Sequence, residues 1–149
     1  MLCCINRQNK EWKFDYILFG TFAGYCIGEQ CIEIYKIQTS KLFEDTADTY
    51  PNLTPNPLRK YVLLEDSIYQ KIKNFQDSIP LEILNEPSKT FGCPDCADGG
   101  GNYIKLYFKN GQTKEFLIDR SYTNSMSAMP IYATKLTIQI EQAVYKINH

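Results

Sequence analysis

The chain has 149 residues, 44% of them hydrophobic and 22% charged, with 16 basic and 17 acidic side chains and a formal charge of −1. That length suits one domain burying roughly 70% of its unfolded surface, and the composition gives no reason for disorder. Near-neutral charge, with no basic block longer than Arg59-Lys60, supplies no concentrated positive field for DNA or RNA, and the uncharged stretch Tyr16 to Gly28 falls short of the ~20 apolar residues a transmembrane helix needs.

The chain opens Met1-Leu2-Cys3-Cys4-Ile5-Asn6, with no apolar leader ahead of it. Two readings follow. Either the protein starts here and is cytoplasmic, or residues 1–13 are the stub of a lipoprotein precursor in which Cys3 or Cys4 is the lipidated residue. Residues 14–149 form a single α+β domain in both.

Eleven Tyr and eight Phe favour pleated surfaces. Residues 14–20 and 31–37 carry β-branched and aromatic side chains between glycines and predict two strands, joined through the Gly24- and Gly28-containing segment as a bulged hairpin or irregular connection. A third strand is expected at 41–44. From Thr46 to Pro57 the turn formers Asp48, Pro51, Asn52, Pro55 and Asn56 predict a surface loop. A strand at 60–64 then leads to a helix over 66–78, where Ile68, Ile72, Phe75 and Ile79 recur on one face. Pro80 ends it or starts a second short helix through Leu84, closed by Pro87.

The segment Tyr103 to Asp119 reads as a hairpin. A two-residue Asn110-Gly111 loop would pair Leu106 with Glu115. A three-residue loop, Lys109 to Gly111 with Gly111 left-handed, places Ile104, Leu106 and Phe108 on one face with Phe116 and Ile118, and is preferred. Pro130 then opens a C-terminal helix over 130–147 with a stripe of Tyr132, Leu136, Ile140, Ala143 and Ile147. The expected architecture is a mainly antiparallel sheet with two main helices packed on one face.

Several chemistries are disfavoured. The one histidine, His149, is the last residue, so no internal imidazole exists for Ser-His-Asp, Cys-His or His-rich zinc arrangements. Gly99-Gly100-Gly101 precedes a strand rather than a helix, the context of a tight turn rather than a dinucleotide site. Glu29 with Glu33, or Asp95 with Asp98, are nominal acid/base pairs, but charged residues are mostly exposed. The acidic loop Glu44-Asp45-Thr46-Ala47-Asp48 lacks the regular spacing of a calcium loop.

The six cysteines fall in three close pairs, Cys3-Cys4, Cys26-Cys31 and Cys93-Cys96. For Cys26, Cys31, Cys93 and Cys96 three readings stand. They are a four-thiolate zinc site tying the first strands to the loop before the hairpin, two local disulfides in an oxidising compartment, or a redox centre at Cys93-Pro94-Asp95-Cys96. The last lacks the helix N-terminus that activates a thioredoxin-type thiol.

The order Phe19-Gly20-Thr21-Phe22, Cys26-Ile27-Gly28-Glu29-Gln30-Cys31 running into Ile32-Glu33-Ile34-Tyr35-Lys36, then Leu42-Phe43-Glu44-Asp45-Thr46, then Gly92-Cys93-Pro94-Asp95-Cys96-Ala97-Asp98-Gly99-Gly100 resembles a family of uncharacterised Bacteroidetes cell-envelope proteins, many of them predicted lipoproteins. The likeness spans nearly all of residues 14–147. It implies an extracytoplasmic setting, no known activity and a lipid anchor at Cys3 or Cys4. With it the local disulfides Cys26–Cys31 and Cys93–Cys96 become the expected state, since each pair closes a short Gly- or Pro-containing turn whereas a shared zinc site needs two distant turns to meet. The expected function is a non-enzymatic envelope domain with a binding or structural role and no cofactor, facing a partner protein in the envelope or a small ligand. The alternative is a thiol-based zinc-binding or redox protein.

Overall fold

A computed structural model describes residues 13–51, 57–121 and 129–149. In chain order the strands are Phe14–Phe22 (β1), Ile32–Gln38 (β2), Lys41–Asp45 (β3), Tyr61–Leu63 (β4), Lys89–Phe91 (β5), Gly101–Phe108 (β6) and Thr113–Ile118 (β7). The helices are Asp66–Ile72 (α1), Leu81–Asn85 (α2) and Ile131–Asn148 (α3). The strands form one sheet in the order β4-β3-β2-β1-β6-β7-β5. Every pairing is antiparallel except β5 with β7, so the fold is α+β around a mainly antiparallel sheet.

β1 occupies the middle, between β2 and β6. Its sequence is apolar on both faces because its side chains are buried on both, against the helices on one side and among the cross-strand neighbours Ile34 and Tyr103 on the other. Ile17 and Phe19 point to the helices, and Leu18 and Phe22 to the opposite side; all four are at most 2% exposed. On the helix side, Tyr35, Ile37, Leu42, Ile104, Leu106, Phe116 and Ile118 meet Ile72 and Phe75 from the first helical region and Leu136, Ile140, Ala143 and Ile147 from α3. Both main helical stripes lie on one face of the sheet, as their single apolar sides require.

The helix expected over 66–78 is shorter. α1 stops at Ile72, and a 3₁₀ turn follows at Gln76–Ser78. Tight bonds replace the α ladder here, Phe75 N–H to Ile72 O at 2.8 Å and Ser78 N–H to Phe75 O at 3.0 Å. Asn74, Asp77 and Ser78 supply the competing chemistry, since such side chains bond nearby backbone, and Ser78 Oγ donates to Phe75 O. The apolar stripe survives the break, with Ile72, Phe75 and Ile79 buried.

The hairpin adopts the three-residue loop. Phe108 N–H bonds Gln112 O at 2.9 Å, Leu106 pairs with Lys114 and Ile104 with Phe116. Gly111 sits at φ +86° with open space around it, the left-handed residue such a loop requires. The sequence does not predict β5. Its three residues are too few for a periodic signal, and it exists by pairing parallel to β7, Phe91 opposite Ile118. Among the described residues no helix is long and apolar enough to cross a membrane.

Among the described residues no α-helix lies on the other face. Part of it lies under the loop that follows β3, whose described ends are stapled by Asp45. This carboxylate is 1% exposed, accepts Ala47 N–H and Lys60 N–H on one oxygen at 3.1 and 2.9 Å, and binds Arg59 Nη1 on the other at 2.7 Å. Arg59 lies over the buried Tyr103 ring. Asp45, part of the acidic run Glu44 to Asp48, is therefore an internal anchor. Residues 52–56, the middle of that loop, lie outside the described residues.

Candidate functional site

The cysteines bond within their own loops. Cys26–Cys31 closes the connection between β1 and β2, and Cys93–Cys96 the segment between β5 and β6, with Cα separations of 5.6 and 5.5 Å inside the normal disulfide range. Cys3 and Cys4 lie outside the described residues. Among the described residues no group of three or more His, Cys, Asp or Glu is placed to hold a metal ion. A zinc site would need all four sulfurs as thiolates and both loops rebuilt around one point.

What does join the two disulfide loops is Asp95, between the second pair of cysteines. It adopts a left-handed backbone, φ 63°, which Asp tolerates better than most residues. One carboxylate oxygen accepts Gly24 N–H and the Tyr50 hydroxyl, each at 2.9 Å; the other accepts Gly100 N–H at 3.1 Å. Three loops converge on it. Gly24 is required by this contact, since a Cβ there would stand 2.2 Å from the carboxylate oxygen. Tyr50 also sets its ring edge-on against Phe22 at 5.1 Å, and burial followed by the bond to Asp95 pushes its hydroxyl up to about 12.

A second pin sits beneath. Asp119, 2% exposed, accepts Cys93 N–H and Arg120 N–H, while its own N–H reaches Phe91 O. Behind it Asn102 Nδ2 donates to Thr137 Oγ1 at 2.5 Å and Glu141 Oε1 at 2.8 Å, and Thr137 Oγ1 donates to Asp119 O. Glu141 also receives both the N–H and the hydroxyl of Ser121. This buried network ties the start of β6 and the end of β7 to α3. The signal for it in the sequence is a polar residue on an apolar face. Asn102 shares a strand face with Ile104 and Leu106, and Thr137 stands beside Leu136 in the helix stripe.

The nominated carboxylates divide. Asp95 is fully occupied by its donors, whereas Asp98 is exposed and no hydrogen bond joins the two. Glu33 accepts the Tyr35 hydroxyl at 2.5 Å and Glu29 is exposed on a 3₁₀ turn. Burial, then the charges of Glu33, Asp48 and Glu29, raises the Glu44 carboxyl above its ordinary value; Asp48 is raised by burial, then Glu29. At the tip of the first disulfide loop Tyr25 and Ile27 project almost fully, 85% and 104% exposed.

No family model matches the chain, no curated protein matches its sequence, and no solved structure matches its fold.

Proposed function

We propose that the chain is a non-enzymatic, extracytoplasmic binding domain of the cell envelope, held there through a lipid anchor at Cys3 or Cys4 and presenting its disulfide-closed loops to a protein partner. The observation that carries this reading is the double closure of one end of the sheet. Cys26–Cys31 and Cys93–Cys96 each lock a loop, and Asp95 fixes the two loops to each other. Disulfides persist in oxidising compartments and are rare in reducing ones. A loop rigid before contact loses less freedom on binding, and this one exposes Tyr25 and Ile27, apolar and aromatic groups of the kind that anchor protein interfaces. The carboxylates nominated for acid/base work are either committed to structural hydrogen bonds or exposed, which supports a role without catalysis.

The test is the thiol state of the protein in its own cells, trapped by acid quenching and alkylation before digestion and mass spectrometry. Both pairs should be recovered as linked peptides in the envelope fraction. Four alkylated cysteines with one tightly bound zinc per chain would overturn this reading and establish the metal alternative. Reversible cycling of Cys93–Cys96 alone would establish the redox one.

A further inference from the structure

The sheet ends on β4 and β5, and its two edges are built differently. β5 follows Pro87, and its Lys89 is held in an ion pair with Glu86 at 2.8 Å, the proline and charge by which edge strands avoid further pairing. β4, Tyr61-Val62-Leu63, carries neither, and Val62 and Leu63 are 46% and 55% exposed.

The bonds of β4 set the direction of its backbone. Thr46 N–H bonds Lys60 O at 2.7 Å and Leu64 N–H bonds Leu42 O at 2.9 Å, so Lys60, Val62 and Leu64 turn their peptide groups toward β3. In an antiparallel ladder the residues between them turn theirs away. The N–H and C=O of Tyr61 and Leu63 therefore point outward, where no described strand pairs with them.

This segment is complementary to itself when read backwards. Lys60 precedes the apolar run Tyr61 to Leu64, and Glu65 and Asp66 follow it. Laid antiparallel on a second copy about a two-fold axis at Val62, Tyr61 of each copy faces Leu63 of the other, and both outward residues exchange both of their backbone bonds. Lys60 then falls opposite the second copy's Leu64 and diagonal to its Asp66, within reach of a long side chain. Lys60, Glu65 and Asp66 are all exposed and enter no ion pair among the described residues, while Arg59 stays with Asp45. Other registers fit less well. Centring on Tyr61 brings the two copies of Lys60 closer together, and centring on Leu63 puts Tyr61 opposite Glu65, whose carbonyl already accepts Ile68 and Tyr69 N–H.

We propose that β4 pairs with β4 of a second copy, joining two sheets into one with both sets of helices on the same side. The guarded β5 edge stops growth there, so the assembly closes as a dimer. A three-residue edge is too short for the area of a permanent interface, and the pair dissociates on dilution. The surface is separate from the disulfide loops, and the inference does not depend on what those loops bind.

Sedimentation velocity of the full oxidised chain from about 1 μM to about 1 mM should show monomer giving way to dimer. Amide exchange followed by NMR should show the Tyr61 and Leu63 N–H groups slowing as the dimer fills. Val62→Lys sets two ammonium groups face to face across the axis, and Lys60→Glu sets an acid against Asp66. Each variant, confirmed folded by thermal melt, should weaken the dimer by about tenfold or more, and Asp66→Lys added to Lys60→Glu should restore it. Ile27→Lys, at the tip of the first disulfide loop, should leave it unchanged. A chain that stays monomeric throughout overturns the proposal, as does a dimer indifferent to Val62→Lys and Lys60→Glu, or one lost with Ile27→Lys. Tyr61 and Leu63 amides that slow only when an alternating Val-Thr peptide is added would likewise overturn it, giving the edge to a foreign strand. Each of these results leaves the binding-domain reading standing, because that reading is decided by the thiol state of the cysteines.

Discussion

Asp95 shows how much one side chain can hold. Asp95→Ala removes the acceptor for three donors from three loops and puts a β-carbon with no compensating polar group at φ 63°. A loss of about 1–3 kcal/mol is expected in urea unfolding. Asp95→Asn, which keeps one oxygen and tolerates the left-handed region, should lose less. Glu44 tests the opposite sign. Its carboxyl is raised in the folded protein, so between the ordinary and the raised value the folded chain binds more protons than the unfolded one. The penalty is absent below the ordinary value and develops as pH rises through the folded value. Glu44→Gln should therefore raise Tm near neutrality and change it little in acid, as melts across that range would show. At this scale the sequence was only partly legible. The cysteine pairs are legible from their spacing, and Asp95 from its place between two of them. Asp45, Arg59 and Asp119 look like surface charges in the sequence, because their burial follows from partners up to 26 residues away.

Among the elements, legibility followed period and length. β1, β2, the β6–β7 hairpin and α3 carry enough consecutive residues for alternation or a helical stripe to emerge, and the hairpin register followed from which faces had to match. The sequence predicts a longer α1 than forms because the stripe through Phe75 and Ile79 continues in space after the helical backbone has stopped. β5 was invisible, since three residues carry no period and its parallel partner lies 27 residues on, Phe91 opposite Ile118. Ile72→Ala and Leu136→Ala, at 4% and 0% exposure, should each cost about 2–5 kcal/mol, with Leu136 the more costly because nothing around it opens to solvent. Denaturant titration with unchanged m-values would check both.

For the molecule as a whole, the disulfides set local shape more than overall stability. They span sequence separations of only 5 and 3 residues, and chain-entropy estimates give about 2 kcal/mol for loops that short. The helix-side core, by contrast, draws on every strand except β4 and on all three helices. Reduction should lower Tm by several degrees while far-UV circular dichroism keeps the folded signature. Collapse of the whole fold on reduction would show that the loops carry more than their own geometry.

The strand order has a consequence in time. β1 through β4 follow one another along the chain and lie side by side, but the other flank of β1 is filled by β6, which begins 79 residues after β1 ends. During synthesis at about 5 to 20 residues per second, roughly 4 to 16 s separate the two. Through that interval the most apolar strand of the protein is an open edge, with Ile17, Leu18, Phe19 and Phe22 short of half their cover and a row of backbone groups available to any neighbouring strand. The closure of β6 onto β1 is a long-range step of the kind that slows folding, and we expect the nascent chain to be most prone to aggregate before residue 101 emerges. A holding chaperone acting in that window should raise the soluble yield more than one supplied after release.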